Sequence, residues 1–378
     1  MKKIFLFIVN VDHFFISHRL PIALKLIQQG HEVHIGTSIT DHYQTLSNLG
    51  FKIHPLKMFG NKIDLFSLFS SYKQLLNLFK SIRPDILHLV TIKPVILGGI
   101  AAQKARVPSV VSAVSGLGFM YLSEDFIAKI KKKIVNILYK ISFNHPNQKI
   151  IFQNQSDLDY FRLNINLASN KSIIISGSGV SLSKFKFQKM PRGAPLIIMA
   201  SRMLIHKGLL EFVDAARILK KKGINAKFIL VGEPDTKNPA SINMSQIDSW
   251  VKEGIVEYWG WRTDMHNILP LSSIVVLPSY REGFPKILIE AAAIGRPIVT
   301  TDVPGCRDAI IENKTGLLVP VRDYRNLCKS IEKLLNNPIL MKEMGYRGRE
   351  LAECKYDINK VVSMHLDIYS GLMEKINY

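Results

Sequence analysis

Tyr280-Arg-Glu282-Gly-Phe-Pro285-Lys-Ile-Leu-Ile-Glu290-Ala-Ala-Ala293 sets two carboxylates eight residues apart, directly after the apolar run Ile274–Leu277. The run reads as a buried strand, 278–283 as its loop, and 285–294 as a helix. Pro285 suits the first helical position, where a missing N–H costs nothing. The backbone N–H groups of Lys286 and Ile287 then face outward at the positive end of the helix, an anion site. Glu282 precedes that site, and Glu290 lies roughly 7.5 Å along the helix at about 1.5 Å per residue. An anion at the tip would have a hydrogen-bond-accepting carboxylate on each side. Sugar hydroxyls, diphosphate and ribose hydroxyls follow that order in a nucleoside diphosphate sugar. The same spacing, taken alone, also suits a helix capped by one surface glutamate with the other exposed.

The flanking sequence separates these readings. The stretch resembles the carboxylate-x7-carboxylate signature of retaining glycosyltransferases with the GT-B fold. Upstream, Arg202-Met-Leu-Ile-His-Lys207-Gly208 is similar to that family's Arg-x4-Lys-Gly loop. Trp259-Gly260-Trp261, Ile298-Val-Thr-Thr-Asp302-Val-Pro-Gly305 and Thr315-Gly316-Leu-Leu-Val319 follow in the family's order across roughly residues 195–350. The resemblance implies an α/β fold of two Rossmann-like, doubly wound parallel-sheet domains facing a central cleft. It further implies a UDP-sugar as substrate, retention of configuration, and no cofactor or metal.

Alternation of short apolar runs with helical patterns supports two such domains without the resemblance. At 378 residues, with 47% apolar content, the chain has material for two cores. Residues 1–182 read as a first domain, 183–195 as a basic, aperiodic linker, and 196–358 as a second, donor-binding domain. In the implied fold the last helix, 359–376, completes the first domain. Met1–Asn10 imitates a signal peptide, but Asp12, His13, His18 and Arg19 follow so closely that a first buried strand is the better reading. No run approaches the roughly 20 apolar residues that span a bilayer. Cys306, Cys328 and Cys354 are sparse and unpaired in spacing, which argues for a reducing compartment.

Breaking a sugar–diphosphate bond leaves charge on the diphosphate, which preorganised cations must meet. Arg202 and Lys207 supply a guanidinium fork and a compact ammonium. The resemblance makes Glu282 the group that orients the donor sugar, with Gly283, Phe284, Lys286 and Ile287 around the phosphates. Glu290 would take ribose, and Gly232, Trp261 and Arg262 would lie near the base. Related enzymes often carry a glycine-rich loop after the first strand and a histidine near the donor sugar. This chain has Asn10-Val-Asp-His-Phe-Phe-Ile-Ser-His18-Arg19 and Ser115 there. These segments, with Thr91-Ile-Lys93-Pro94, look like a narrower group that extends sugars on undecaprenyl diphosphate. His18, Arg19, Ser115 and Lys93 are the first-domain candidates for that lipid-linked saccharide, although His18 and Arg19 equally suit helix capping.

The charge of +20 is uneven: residues 1–189 hold 24 Lys+Arg against 9 Asp+Glu. A basic first half points to a polyanionic partner. Asp125–Phe143 carries the stripe Phe126, Ile127, Ile130, Ile134, Ile137, Leu138 and Ile141, with Lys129, Lys131, Lys132, Lys133 and Lys140 largely off it. Such a helix either docks on an anionic membrane surface or packs its stripe on its own sheet. The expected location is cytoplasmic, peripheral on the inner face of the membrane. Other motifs carry less. His31 and His34 are three apart at a strand start, not four apart on a helix, and Asp157 and Asp159 point apart on a helix. Gly116/Gly118 and Gly177/Gly179 lack the rest of a dinucleotide fingerprint. Two further functions remain open. One is a nucleotide-sugar epimerase of the same architecture. The other is a basic nucleic-acid-binding protein, against which stands the lack of a nucleic-acid motif or aromatic stacking platform.

Overall fold

The computed structural model describes residues 2–57, 65–118, 125–236 and 238–375. The chain forms two compact units, Met1–Ser178 with Asn359–Tyr378, and Gly179–Ile358. In the first, β1 (Ile4–Val11), α1 (Asp12–His18), α2 (Leu20–Gln28), β2 (Glu32–Ser38), α3 (Tyr43–Asn48) and β3 (Lys52–Pro55) come in turn. Next are α4 (Leu65–Ile82), β4 (Ile86–Val90), α5 (Gly99–Ala105), β5 (Ser109–Val114), α6 (Phe126–Ser142), β6 (Gln148–Phe152), α7 (Gln155–Ile165) and β7 (Ser172–Ile174). Asp64 and Ile376, expected as helix ends, lie outside the described residues.

The seven strands are parallel in the order β3-β2-β1-β4-β5-β6-β7. The order reverses between β1 and β4, the topological switch point where ligands of such sheets bind at the strands' carboxyl ends. Strand β4 is buried on both faces, as a helix-covered parallel strand must be.

The second unit contains β8 (Leu196–Ala200), α8 (Leu209–Lys221), β9 (Lys227–Val231), α9 (Met244–Lys252), β10 (Glu257–Tyr258), α10 (Met265–Ile268) and β11 (Ile274–Leu277). It continues with α11 (Lys286–Ile294), β12 (Ile298–Thr301), β13 (Gly316–Val319), α12 (Tyr324–Leu335) and α13 (Pro338–Leu351). Its parallel order is β10-β9-β8-β11-β12-β13, with the switch point between β8 and β11. The segment 183–195 has no helix or strand and lies in this unit. Buried Arg296 donates to the carbonyls of Gln188 and Lys189 and so fixes it.

The last helix, α14 (Ile358–Glu374), packs Val361, Ile368, Tyr369 and Leu372 among Phe5, Phe7 and Ile22 of the first unit. Among the described residues no helix is long and apolar enough to cross a membrane.

Asn10–Arg19 stands where relatives often carry a glycine-rich loop, whereas here Asp12–His18 is helical. Buried Asp12 accepts from the N–H of His13, Thr40 and His42 and from the Thr40 hydroxyl. Burial alone would raise its pKa, but these hydrogen bonds hold it below the usual value. A carboxylate clamp, in place of glycines, turns the chain after β1.

Candidate functional site

In the second unit the two loops leaving β8 and β11 meet across the switch point. Gly208 has φ +82°, and a Cβ there would lie 2.2 Å from the Pro278 carbonyl oxygen. Gly208 thus lets these two loops touch. The N–H of Tyr280 and the Ser279 hydroxyl both donate to the His206 carbonyl, which locks the contact. It brings together residues 75 apart: Lys207 Nζ donates to Glu282 Oε1 at 2.5 Å, with side chains 15% and 13% exposed. Gly305 closes the other side, since a Cβ there would sit 2.6 Å from the carbonyl oxygens of Glu282 and Gly283.

Helix α11 begins one residue later than expected. Pro285 is its N-cap and Lys286 its first residue, so the proline precedes the helix rather than opening it. The helix still directs its positive end toward this loop. Its core side is fixed by Leu288, Ile289 and Ala291–Ile294, with Phe284 edge-on to Tyr356 and Ile287 packed on the same cluster. Glu290 is buried, 3.7 Å from Lys286 Nζ. Burial pushes its carboxyl up to about 7, against the opposing pull of Lys286 and Lys184. Gly283 lies half-buried between Glu282 and Phe284.

Arg202 stands apart from the Lys207–Glu282 pair. Its guanidinium reaches Asp235 at 3.1 Å, beyond β9, in a solvent-facing pair that contributes little to stability and exchanges readily. Gly232 has φ +133°, and a Cβ there would lie 1.9 Å from the Ser201 carbonyl oxygen. Its N–H donates to Gly260 and its carbonyl accepts from the Tyr258 hydroxyl. Trp261 presents an exposed indole beside it, and Arg262 is held by Asp264 through two hydrogen bonds.

Sequence reasoning missed a network behind the ion pair. The Tyr280 hydroxyl donates to Glu211 Oε1 at 2.6 Å, and Arg322 lies over the Tyr280 ring at 4.8 Å. These residues belong to α8, the β11 loop and the turn after β13, too distant in sequence for spacing to reveal. His206 stays neutral, pushed down to about 4 by burial and then by Lys207 and Arg202.

In the first unit the candidates are not gathered. His18 stacks on Phe14 at 4.0 Å and bonds Ser17. Of the two roles open to Arg19, the helix-end position is the one it takes: it is the N-cap residue of α2, only 2% exposed, and its side chain sits in the interior beside His88, His365 and Tyr369. Nη1 donates to the His18 carbonyl while Nε has no partner. The last helix is expected to complete this unit, but the apolar runs of β1 and β4 do not show that it covers this side chain. Lys93 and Ser115 are half-buried at the carboxyl edge of the sheet, beyond β4 and β5.

Helix α6 turns its stripe outward. Phe126 is 77% exposed, Ile127 64%, Ile130 46%, Ile134 53%, Ile137 52% and Ile141 46%. Ala128, Val135, Leu138, Tyr139 and Ser142 hold it to the core instead, so of the expected stripe only Leu138 packs inward. The lysines Lys129, Lys131, Lys133 and Lys140 are also exposed. Asp157 is buried against Asn154 and Asp159 pairs with Arg162. His34 of β2 bonds Glu32 and His54, the latter on the edge strand β3. Among the described residues no three His, Cys, Asp or Glu side chains form a group able to hold a metal ion.

Comparison with known proteins gives two family matches: glycosyl transferases group 1 over residues 182–351 and glycosyl transferase 4-like over residues 3–154. A Campylobacter jejuni protein, N,N'-diacetylbacillosaminyl-diphospho-undecaprenol alpha-1,3-N-acetylgalactosaminyltransferase, is 30% identical, with 97% of each chain covered. An Escherichia coli UDP-Gal:alpha-D-GlcNAc-diphosphoundecaprenol alpha-1,3-galactosyltransferase is 28% identical over 76% of each. The fold is shared with sucrose-phosphate synthase from Thermosynechococcus elongatus (TM-score 0.82, 19% identity, 99% and 100% covered). It is likewise shared with Anabaena HepE in complex with UDP (TM-score 0.76, 16% identity, 98% and 100% covered).

Proposed function

The chain belongs to the glycosyl transferases group 1 family, and on that premise we propose that it moves a sugar from UDP to a saccharide carried on undecaprenyl diphosphate. Configuration is retained and neither metal nor cofactor is needed. The observation that carries this reading is the Lys207–Glu282 pair at the β8/β11 switch point, set before the positive end of α11. The two relatives named for diphospho-undecaprenol acceptors support the acceptor class.

The donor's diphosphate takes the charge of Lys207 and Arg202, the latter leaving Asp235, while the N-terminus of α11 and Lys286 meet the remaining oxygens. Glu282, released from Lys207, accepts from the hydroxyls of the donor sugar. Glu290 accepts from ribose, and the turns at Gly232, Trp261 and Arg262 receive the base. The anomeric carbon–oxygen bond breaks, UDP leaves, and the acceptor hydroxyl bonds to the same carbon on the same face. Its proton passes to the departing phosphate oxygen, so no enzyme nucleophile is required.

The outward apolar stripe of α6, flanked by lysines, supports a peripheral position on an anionic, inner membrane face, where the lipid-linked acceptor is anchored. A panel of UDP- and GDP-sugars with a short-chain polyprenyl-diphosphate saccharide tests the reading. UDP should be released only when acceptor is present, and excess EDTA should leave the rate intact. Donor turnover to an epimer without acceptor would replace transfer by epimerisation.

A further inference from the structure

Three side chains from separate elements meet at Tyr280, just before Glu282 in the chain. Its hydroxyl donates to Glu211 Oε1 at 2.6 Å, and the Arg322 guanidinium lies over its ring at 4.8 Å. Glu211 stands in the first turn of α8, and Arg322 in the turn between β13 and α12. Successive residues of a strand point to opposite faces of the sheet. Helices α8 and α12 pack on the face of Ile274 and Val276, and α11 packs on the face of Val275 and Leu277. The partners of Tyr280 therefore lie across the sheet from the helix that follows its own loop.

The phenol–carboxylate bond joins the same two chain segments as the Lys207–Glu282 pair. Glu211 follows Lys207 by about one helical turn, and Tyr280 is a near neighbour of Glu282. Both links are made in this structure. A diphosphate that draws Lys207 away breaks the first and leaves the second. Backbone contacts hold the loop at two other points, the N–H of Tyr280 on the His206 carbonyl and the N–H of Glu282 on Pro304. Neither reaches α8, whereas the phenol does. Burial, and then the bond to Glu211, push the phenol up to about 12, so it stays a donor at neutral pH. Glu211 is 8% exposed, and its second oxygen, Oε2, makes no hydrogen bond. The phenol is thus the side chain that satisfies this carboxylate, and a charged acceptor makes such a bond roughly twice as strong as a neutral one.

We propose that Tyr280 and Glu211 are positioning residues for transfer: their hydrogen bond, with Arg322 packed on the ring, keeps Glu282 at the donor sugar once Lys207 has gone to the diphosphate. This rests on the sugar-transfer reading above. Neither residue need touch substrate. Tyr280 acts through Glu282, whose place beside the reacting sugar sets the rate, and Glu211 acts through Tyr280.

Three variants are compared by kinetics with the UDP-sugar and short-chain polyprenyl-diphosphate saccharide that the parent turns over, by calorimetry with UDP, and by thermal unfolding. Tyr280→Phe keeps the ring under Arg322 and removes the donor. Its kcat should fall roughly 10- to 100-fold with UDP affinity unchanged, because a misplaced group at the reacting centre costs rate rather than nucleotide binding. It should also melt lower, because a buried carboxylate has lost its partner. Adding Glu211→Leu removes that carboxylate and should bring the melting temperature back while kcat stays low. Glu211→Gln alone keeps an acceptor for the phenol and should keep most of the parent's kcat. A parental kcat in Tyr280→Phe, or a kcat that recovers with the melting temperature in the double variant, overturns the positioning role and leaves a bond that only stabilises the fold. A Glu211→Gln variant as slow as Tyr280→Phe overturns it as well. Absence of any transfer by the parent across the sugar panel would overturn the sugar-transfer reading, and the positioning role with it.

Discussion

Replacing Glu282 by Gln should tighten UDP binding while slowing transfer. Lys207 and Glu282 face each other at 2.5 Å with little water around them. At an effective dielectric near 20, charges at that separation attract by roughly 6–7 kcal/mol before desolvation is counted. A diphosphate entering the site must take Lys207 away from the carboxylate, and most of the gross term is offset by its own attraction to the same ammonium. The part lost in the exchange is of the size of one charge-assisted hydrogen bond, about 1.5 kcal/mol or somewhat more. Gln keeps the side chain's shape but leaves the Lys207 charge uncompensated, so UDP should bind about tenfold more tightly. The ligand-free variant should melt lower than the parent, because a largely buried cation has lost its partner. Added UDP should raise its melting temperature by more than it raises the parent's. Transfer should fall by about a hundredfold or more, since the donor sugar has lost its carboxylate. Titration calorimetry with UDP, with thermal unfolding in its presence and absence, reads both effects. Unchanged or weaker UDP binding would refute the idea that Glu282 holds the place of the diphosphate on Lys207.

Three other outcomes are expected. Arg202→Ala and Lys207→Ala should each lower kcat/KM by about two orders of magnitude with the fold retained by circular dichroism, and near-normal rates in both would remove the phosphate site. Burial holds His88 well below its ordinary value and His365 down to about 3, with Arg19 opposing protonation of each. The unfolded chain then binds more protons as pH falls below about 6.5, so the first unit should lose up to about 1.4 kcal/mol per pH unit per histidine. Hydrogen exchange of α14 should quicken over that range, and exchange independent of pH opening would contradict the buried neutral histidines. Changing Lys129, Lys131 and Lys133 to Glu should weaken binding to anionic vesicles and slow transfer to a long-chain acceptor but not to a water-soluble one. The attraction should fade as the Debye length shortens from about 10 Å at 0.1 M salt to about 3 Å at 1 M, and vesicle binding that is absent or unaltered would make α6 a core-packing element only.

The parts of the fold legible in the sequence were those that local periodicity specifies. Helix α11 is expected at 285–294 and runs over Lys286–Ile294, one residue shorter at its start. The apolar runs of β8, β11 and β12 were equally plain, because strands buried on both faces show no polar alternation to confuse. What spacing could not reveal was partnership across the chain. Glu282 and Lys207 were read as separate ligands of a sugar and a phosphate, whereas the touch of Gly208 on Pro278 joins them as a pair. The burial of Arg19 is hidden for the same reason: α14, more than 300 residues away, supplies residues that enclose it. For α6, periodicity disclosed the stripe but not its direction. The small and polar residues Ala128 and Ser142 face the core with Tyr139, and the isoleucines face out. The helix at Asp12–His18 escaped notice because its stabilising groups, Thr40 and His42, follow the next strand.

The measurement closest to the central claim is mass spectrometry of a polyprenyl-diphosphate saccharide incubated with the protein and UDP-sugars in EDTA. The account predicts a gain of one hexose or N-acetylhexosamine, one UDP formed per sugar added, and in the product the anomeric configuration of the donor. An unmodified acceptor beside consumed donor, or a product of inverted configuration, would contradict it.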